Sequence, residues 1–192
     1  MGFRDLVLKN RSYRRFDTSR RIEAAELAAL VELACYVPSA KNLQPLRYVA
    51  VSEPEECSLV FDCLSWAGYL ADWPGPVEGE RPAAYLTVLS DPDLTTSALC
   101  DSGIVAQTVL LGATEMGLGG CLVASVDRDR LRAVLRIPSR YRIEFVLALG
   151  KPVETVVIEQ MPEGGDVRYY RDRYGIHHVP KRRVDDVLLS FR

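Results

Sequence analysis

Histidine is nearly absent from this 192-residue chain, occurring only as the adjacent pair His177 and His178. The cysteines, Cys35, Cys57, Cys63, Cys100 and Cys121, form an odd set with no C-x-x-C pair. These shortages leave neither a disulfide framework nor a zinc site of recognisable spacing, and the thiols read as small buried hydrophobes. No Ser or Cys stands in a nucleophile-elbow pattern, and the histidines lie near the end of the chain, so a hydrolytic triad is not expected. No apolar run approaches the roughly 18–20 residues needed to span a bilayer. The opening MGFRDLVLKN has no apolar h-region or cleavage site, and Leu6 stands where a myristoylation signal at Gly2 needs Ser or Thr. The expectation is a cytoplasmic protein without metal or membrane attachment.

What is present suits a globular fold. Hydrophobic residues make up 48% and charged residues 26%, and the length allows one domain over 1–192 at roughly 100–200 residues per domain. The net charge of -2 conceals an uneven distribution. Residues 1–21 hold seven Arg/Lys and two acids, residues 168–192 hold seven and three, and the segment between is strongly acidic. Basic ends arise as solvated surface, or because head and tail meet around an anion. Nucleic acid is one such anion, but two short basic segments in a net acidic chain suit a compact phosphate better than a long groove.

Hydrophobic spacing organises the middle of the chain. Leu27, Leu30, Val31 and Ala34 recur at helical intervals, predicting a helix over Ile22–Cys35 that Pro38 stops. Arg47–Ser52 and Ala83–Ser90 read as strands rich in Tyr and β-branched residues, with a helix predicted between them over 53–66. Residues 72–82, DWPGPVEGERP, read as an irregular acidic loop, either a surface connection with Trp73 pinned to the core or a lid over a site. Ser97–Met116 has almost no polar face and is predicted to be buried on all sides, as the hub of the core or as half of a subunit interface. Strands follow at Cys121–Ser125 and Ile143–Gly150, separated by a helix over Asp127–Leu135 with Asp127 as N-cap. Residues 159–180 read as a long irregular connection that packs along another surface, possibly that of a second subunit. Helices and strands mix without regular alternation, which favours an α+β fold.

Gly117-Leu118-Gly119-Gly120 follows a helix, so by itself it reads as helix termination and matches no nucleotide loop. The segments with more chemistry are Arg11-Ser12-Tyr13-Arg14, then Pro38-Ser39-Ala40-Lys41-Asn42-Leu43-Gln44-Pro45, and near the end Lys181-Arg182-Arg183. With Gly117-Leu118-Gly119 and Gly150-Lys151-Pro152 in the same order, the chain resembles the flavin-dependent nitroreductase family over nearly its whole length.

That resemblance implies a central, mostly antiparallel sheet flanked by helices, in a homodimer that holds FMN at the subunit interface, with the C-terminal segment packed on the partner subunit. It implies Arg11, Lys181 and Arg183 as ligands of the flavin phosphate, where charge-assisted hydrogen bonds are strong. Ser12 and Arg14 would reach the ribityl chain and the pyrimidine edge, and a cation at that edge would help set the redox potential. Pro38, Ser39, Ala40 and Asn42 would come from the partner subunit, and the backbone at Val123 and Ala124 would face the ring. The implied activity is NADH- or NADPH-dependent reduction of a small electrophilic acceptor, nitroaromatic or quinone-like, by a ping-pong mechanism with no side-chain acid or base. Two departures stand out: Asn10 where the family often has Arg, and residues 53–82, which do not match the family's helical stretch. In that segment Trp66, Tyr69 and Trp73 are candidates for the substrate opening, with core packing the other reading for Trp66 and Tyr69. Dehalogenation, flavin consumption, FMN storage and an anion- or nucleic-acid-binding module stay open as alternatives.

Overall fold

The computed structural model describes residues 1–190. Its contacts divide the chain into two units, one of Met1–Trp66 and Gly75–Val153, the other of Ala67–Pro74 and the chain from Glu154.

The first unit is built on a four-stranded antiparallel sheet. Its strands are β1 (Leu46–Val51), β2 (Ala84–Ser90), β3 (Gly119–Val123) and β4 (Arg142–Gly150), in the order β1-β2-β4-β3. Every residue of β2 is buried, as a central strand covered on both faces requires. Alternation along β2 and β4 divides the side chains between those faces. Leu86, Val88, Phe145, Leu147 and Leu149 pack with Leu27, Leu30, Val105, Val109 and Ala113, which come from α2 (Ala24–Cys35) and α4 (Leu99–Glu115). Each such Leu or Val contributes roughly 1.5–3 kcal/mol on full burial. The short helices α1 (Phe3–Lys9), α3 (Pro54–Phe61) and α5 (Arg128–Val134) complete the unit.

Local chemistry explains several boundaries. At the start of α2, Glu26 accepts from the Glu23 backbone N–H at 3.0 Å and pairs with Arg20. Asp127 caps α5 by accepting from the Arg130 N–H at 3.1 Å, as the sequence predicted. Helix α4 ends on Gly117 at φ +77°, where Gly117 N–H donates to Thr114 and Leu118 N–H to Ala113. This is the glycine stop of a Schellman turn. Helix α3 stops at Phe61, short of the predicted Trp66, because Leu64 bridges to Val126 and the Ser65 N–H donates to Ser125.

Within a single chain helix α4 is covered on one face only, which sets aside the hub alternative and leaves the subunit-interface one. Asp101, Ser102, Val105, Ala106, Val109, Gly112 and Ala113 are buried, but Leu99 is 77% exposed, and Ile104 and Met116 are exposed as well. One chain therefore covers one face of this helix and leaves apolar side chains on another. The thiols also divide: Cys57, Cys63 and Cys121 are buried as predicted, while Cys35 and Cys100 are exposed.

The second unit corrects the reading of 159–180 as irregular. It contains β5 (Val156–Gln160), β6 (Tyr170–Arg171) and β7 (His177–Lys181) in the order β5-β7-β6, with β5 and β7 parallel, followed by α6 (Val184–Val187). Both histidines lie on β7. His178 Nδ1 is 2.6 Å from Glu159, Nε2 is 3.4 Å from Asp172, and Tyr170 stacks on its ring with centroids 4.8 Å apart. Among the described residues no helix is long and apolar enough to cross a membrane.

Candidate functional site

The Arg11–Arg15 segment is held in extended form against the edge strand of the first sheet. Ser12 bridges Gly120 in parallel, the Tyr13 N–H donates to the Gly120 carbonyl at 3.1 Å, and the Tyr13 hydroxyl donates to Lys9. Glycine is needed here for close approach. A Cβ on Gly119 would lie 2.7 Å from the Tyr13 ring, and one on Gly120 would lie 2.3 Å from the Ala148 carbonyl oxygen. Downstream, Val153 N–H donates to Arg15 and Asp17 N–H to Lys151, so the Gly-Lys-Pro motif clasps the other end of the segment.

Arg11 is half-buried. One Nη donates to the Val7 carbonyl at 2.7 Å, while Nε is buried with no protein acceptor. Desolvation lowers its pKa, an effect that Tyr13 opposes, yet a guanidinium stays charged across ordinary pH. Ser12 is exposed, and Arg14 donates to the Ser12 carbonyl at 3.1 Å. Arg15 makes a two-pronged pair with Glu80 at 2.6 and 2.5 Å, which ties the acidic loop to this segment. Asn10, where a family Arg was expected, is buried just past α1 and donates its N–H to Leu6.

Val123 is buried, whereas Ala124 is exposed just beyond β3. Arg128 fixes this corner by donating to Ile143, Glu144 and Ala124 carbonyls at 3.0, 3.1 and 3.4 Å. Arg128 was not anticipated, and its only sequence signal is a basic residue directly after an N-cap.

Pro38–Asn42 belongs to a loop that carries positive φ at Lys41, Asn42 and Gln44. Asp101 in the first turn of α4 holds it, accepting from the Ser39 hydroxyl and, at 3.2 Å, from the Ala40 N–H. Ser39 in turn accepts from the Gln44 N–H at 2.9 Å. Pro38, Ala40 and Asn42 stay exposed. A cavity of about 160 Å³ lies under this loop, lined by Cys35, Ser39, Arg47, Tyr48 and Asp101 among others. Asp101 was missed because a single acid in an apolar helix gives no hint of a partner sixty residues away.

The three substrate candidates separate. Trp66 is packing: it is buried, stacks on Phe61 at 5.6 Å, and faces Gly75, where a Cβ would come within 2.6 Å of the indole. Tyr69 and Trp73 belong to the second unit. Tyr69 is 55% exposed and packs on Tyr169 with centroids 5.0 Å apart. The Arg171 guanidinium lies 4.7 Å over the Trp73 ring and pairs with Glu154 at 3.3 Å. Lys181 and Arg183 are also in the second unit and are exposed, with Arg183 engaged by Asp186 at 3.3 Å. Among the described residues no group of three or more metal-ligating side chains comes together.

The chain as a whole is similar to known proteins. The Nitroreductase family model matches residues 7–72 and 67–151. The chain belongs to the nitroreductase family. It is 30% identical over 176 residues to an NADH dehydrogenase of Thermus thermophilus, covering 77% of this chain and 85% of that one. It is 25% identical to an FMN reductase (NADPH) of Bacillus subtilis, covering 77% and 65%. A putative nitroreductase in complex with FMN from Exiguobacterium sibiricum superposes with a TM-score of 0.70 at 21% identity, over 85% of this chain and 95% of that one.

Proposed function

We propose that this chain is an FMN-dependent oxidoreductase that uses NADH or NADPH to reduce a small electrophilic acceptor, nitroaromatic or quinone-like, by a ping-pong mechanism in which one pocket serves both substrates in turn. Family membership supports the class, and the FMN of the Exiguobacterium structure and the names of the Thermus and Bacillus relatives support cofactor and donor. The observation that carries the reading is the Arg11–Arg14 strip, held along β3 with the Arg11 Nε buried and lacking a protein acceptor. A buried guanidinium N–H without a partner costs about 1–3 kcal/mol, and a phosphate oxygen would satisfy it.

The donor set fits FMN. Arg11 binds phosphate, with Lys181 and Arg183 as further phosphate ligands, the latter after exchanging Asp186 for the ester. Ser12 orients the ribityl chain, and Arg14 holds positive charge at the pyrimidine edge. The backbone at Val123 and Ala124, fixed by Arg128, faces the ring. Pro38, Ser39, Ala40 and Asn42 come from a second copy of the chain, whose docking would cover the apolar side chains left exposed on α4. Tyr69 and Trp73 shape the opening for the acceptor. When bound, the isoalloxazine supplies the hydride chemistry, while the protein contributes position and electrostatics. The enzyme acts as a cytoplasmic homodimer, without metal or nucleic acid.

The test is flavin content and reduction. The purified protein should be yellow with about one FMN per chain, and anaerobic NADH or NADPH should bleach it. Arg11→Ala and Arg183→Ala should each weaken FMN binding about 10–100-fold, the loss of one charge-assisted contact of roughly 1.5–3 kcal/mol. Full flavin retention by both variants under dialysis would refute the phosphate assignment, and a protein that stays colourless with excess FMN would refute the function.

A further inference from the structure

A second cavity, of about 280 Å³, lies in the first unit between α3 and the segment that enters β2. It is lined by Tyr85 and Arg81, with Arg21, Ser52 and Ser58 adding further donors and Glu78 the only carboxylate among the lining residues. None of these belongs to the arginine strip, the β3 corner or the serine loop.

Two of its side chains each hold a buried polar atom without a hydrogen-bond partner. Tyr85, 1% exposed on the central strand, has a buried hydroxyl with no hydrogen-bond partner. Arg81 has a buried Nε in the same condition. Native proteins satisfy nearly all such groups, and both residues line this one cavity, so an occupant that shifts either side chain meets an unpartnered donor. Burial pushes the Tyr85 phenol well above its ordinary value, so its proton is retained and the group donates at any physiological pH. The Arg81 guanidinium lies 4.0 Å over the Phe61 ring, a cation–π contact. The complement of a phenol O–H, two guanidinium groups and two serine hydroxyls is an oxyanion. The acids that begin α3, Glu55 and Glu56, are exposed and screened by water.

Thr18 also lines the cavity, its hydroxyl donating to the Gly79 carbonyl at 3.2 Å, and the rest of the lining is mostly apolar. Pro54, Pro82 and Ala83 contribute the apolar part, and the Cys57 thiol lies 3.7 Å from both the Val51 and Ala83 carbonyls. The volume falls just under the roughly 300–1,000 Å³ of drug-sized pockets, which is too small for a dinucleotide.

We propose that this cavity is a second binding site, separate from the flavin site, for a small organic oxyanion: a compact apolar body bearing one carboxylate or phosphate held by Arg81, Arg21 and the Tyr85 hydroxyl. The proposal does not depend on the flavin reading.

Isothermal titration calorimetry of the purified full-length protein with benzoate, phenyl phosphate and inorganic phosphate, at constant ionic strength, tests it. Saturable binding of benzoate or phenyl phosphate is expected, and the tighter of the two identifies the head group. Tyr85→Phe, which keeps the ring, should weaken binding about 2–10-fold, and Arg81→Gln about 10–100-fold. Both variants should keep wild-type flavin content, and Arg11→Ala should bind the probes as wild type does. Binding of neither organic probe overturns the proposal, and so does inorganic phosphate binding alone. Binding lost in Arg11→Ala but unchanged in Tyr85→Phe and Arg81→Gln would place the anion elsewhere, with the same consequence. Because flavin content is read separately, colourless protein that still binds benzoate would refute the flavin reading and leave this one intact.

Discussion

Replacing Gly120 by alanine tests whether the sheet edge that carries the arginine strip is as tightly set as its geometry demands. The new methyl would lie 2.3 Å from the Ala148 carbonyl oxygen, 2.9 Å from Leu149 Cδ2 and 3.1 Å from Leu110 Cδ2. Carbon and carbonyl oxygen tolerate about 3.3–3.6 Å, so β3 must move by roughly 1 Å from β4. The Ala148 oxygen is main chain in a buried strand paired on both sides, and it cannot rotate away. We therefore expect a cost near the upper end of overpacking, about 2–3 kcal/mol, or about 4–12 °C in Tm for a chain of this size. Gly112→Ala is the control. Its methyl would meet Leu33 Cδ1 at 2.5 Å and Leu30 Cδ2 at 3.2 Å, both free ends of side chains, inside helix α4. The gain of about 1 kcal/mol in helix propensity offsets part of the repacking, leaving the variant within about 1 kcal/mol of wild type. Urea unfolding at one fixed protein concentration reads both, since association or cofactor would otherwise shift the midpoint. The reasoning fails if Gly120→Ala unfolds with the wild-type midpoint, or if Gly112→Ala is the more damaging change.

The other predictions concern thiols, protons and the aromatic pair. Ellman's reagent should reach at most Cys35 and Cys100 in the folded protein, and Cys57, Cys63 and Cys121 only after unfolding, because desolvation raises the Cys63 thiol and pushes Cys57 up to about 11; three or more fast thiols would contradict this burial. The hydrogen bond to Glu159 raises the His178 pKa above 6.5 against desolvation, and Asp172 raises it further. That stabilisation is complete below the unfolded value of 6.5 and is lost as pH climbs through the higher folded value. His178→Gln should therefore flatten the stability profile between mildly acidic and mildly alkaline pH, and an NMR titration of His178 with a midpoint at or below 6.5 would refute the pairing. Trp73→Ala should change preference across a panel of nitroaromatic and quinone acceptors while FMN stays bound; identical kinetics for every acceptor would remove Trp73 from the opening.

Legibility in the sequence followed the range of the interaction. The helix under Leu27, Leu30 and Ala34 and the strands of the central sheet were readable because spacing reports burial within a few residues. The α+β class followed from them, while the antiparallel sheet was implied by the family resemblance. The C-terminal sheet was hidden. Its strands are short and partly exposed, β6 has only two residues, and Pro180 argues against a central strand. The structure accommodates Pro180 because β6 pairs only with His177 and His178, so β7 has no neighbour on that side by position 180. Glu80 and Asp101 were unreadable for a different reason: their partners, Arg15 and Ser39, are more than sixty residues away. For α4, composition reported apolar character correctly but could not distinguish a face covered by the same chain from one left exposed.

The second unit is discontinuous in the chain, since Ala67–Pro74 joins a body otherwise made of residues from Glu154 onward. At ribosomal rates of about 5–20 residues per second, Tyr69 waits on the order of 5–20 seconds for Tyr169 to be synthesised. Through that interval the nascent polypeptide carries an aromatic octapeptide without the Tyr169 and Arg171 that pack on its Tyr69 and Trp73, which makes this stretch a natural target for chaperones and for proteolytic nicking. A gene truncated after residue 153 would extend that temporary exposure to the lifetime of the product.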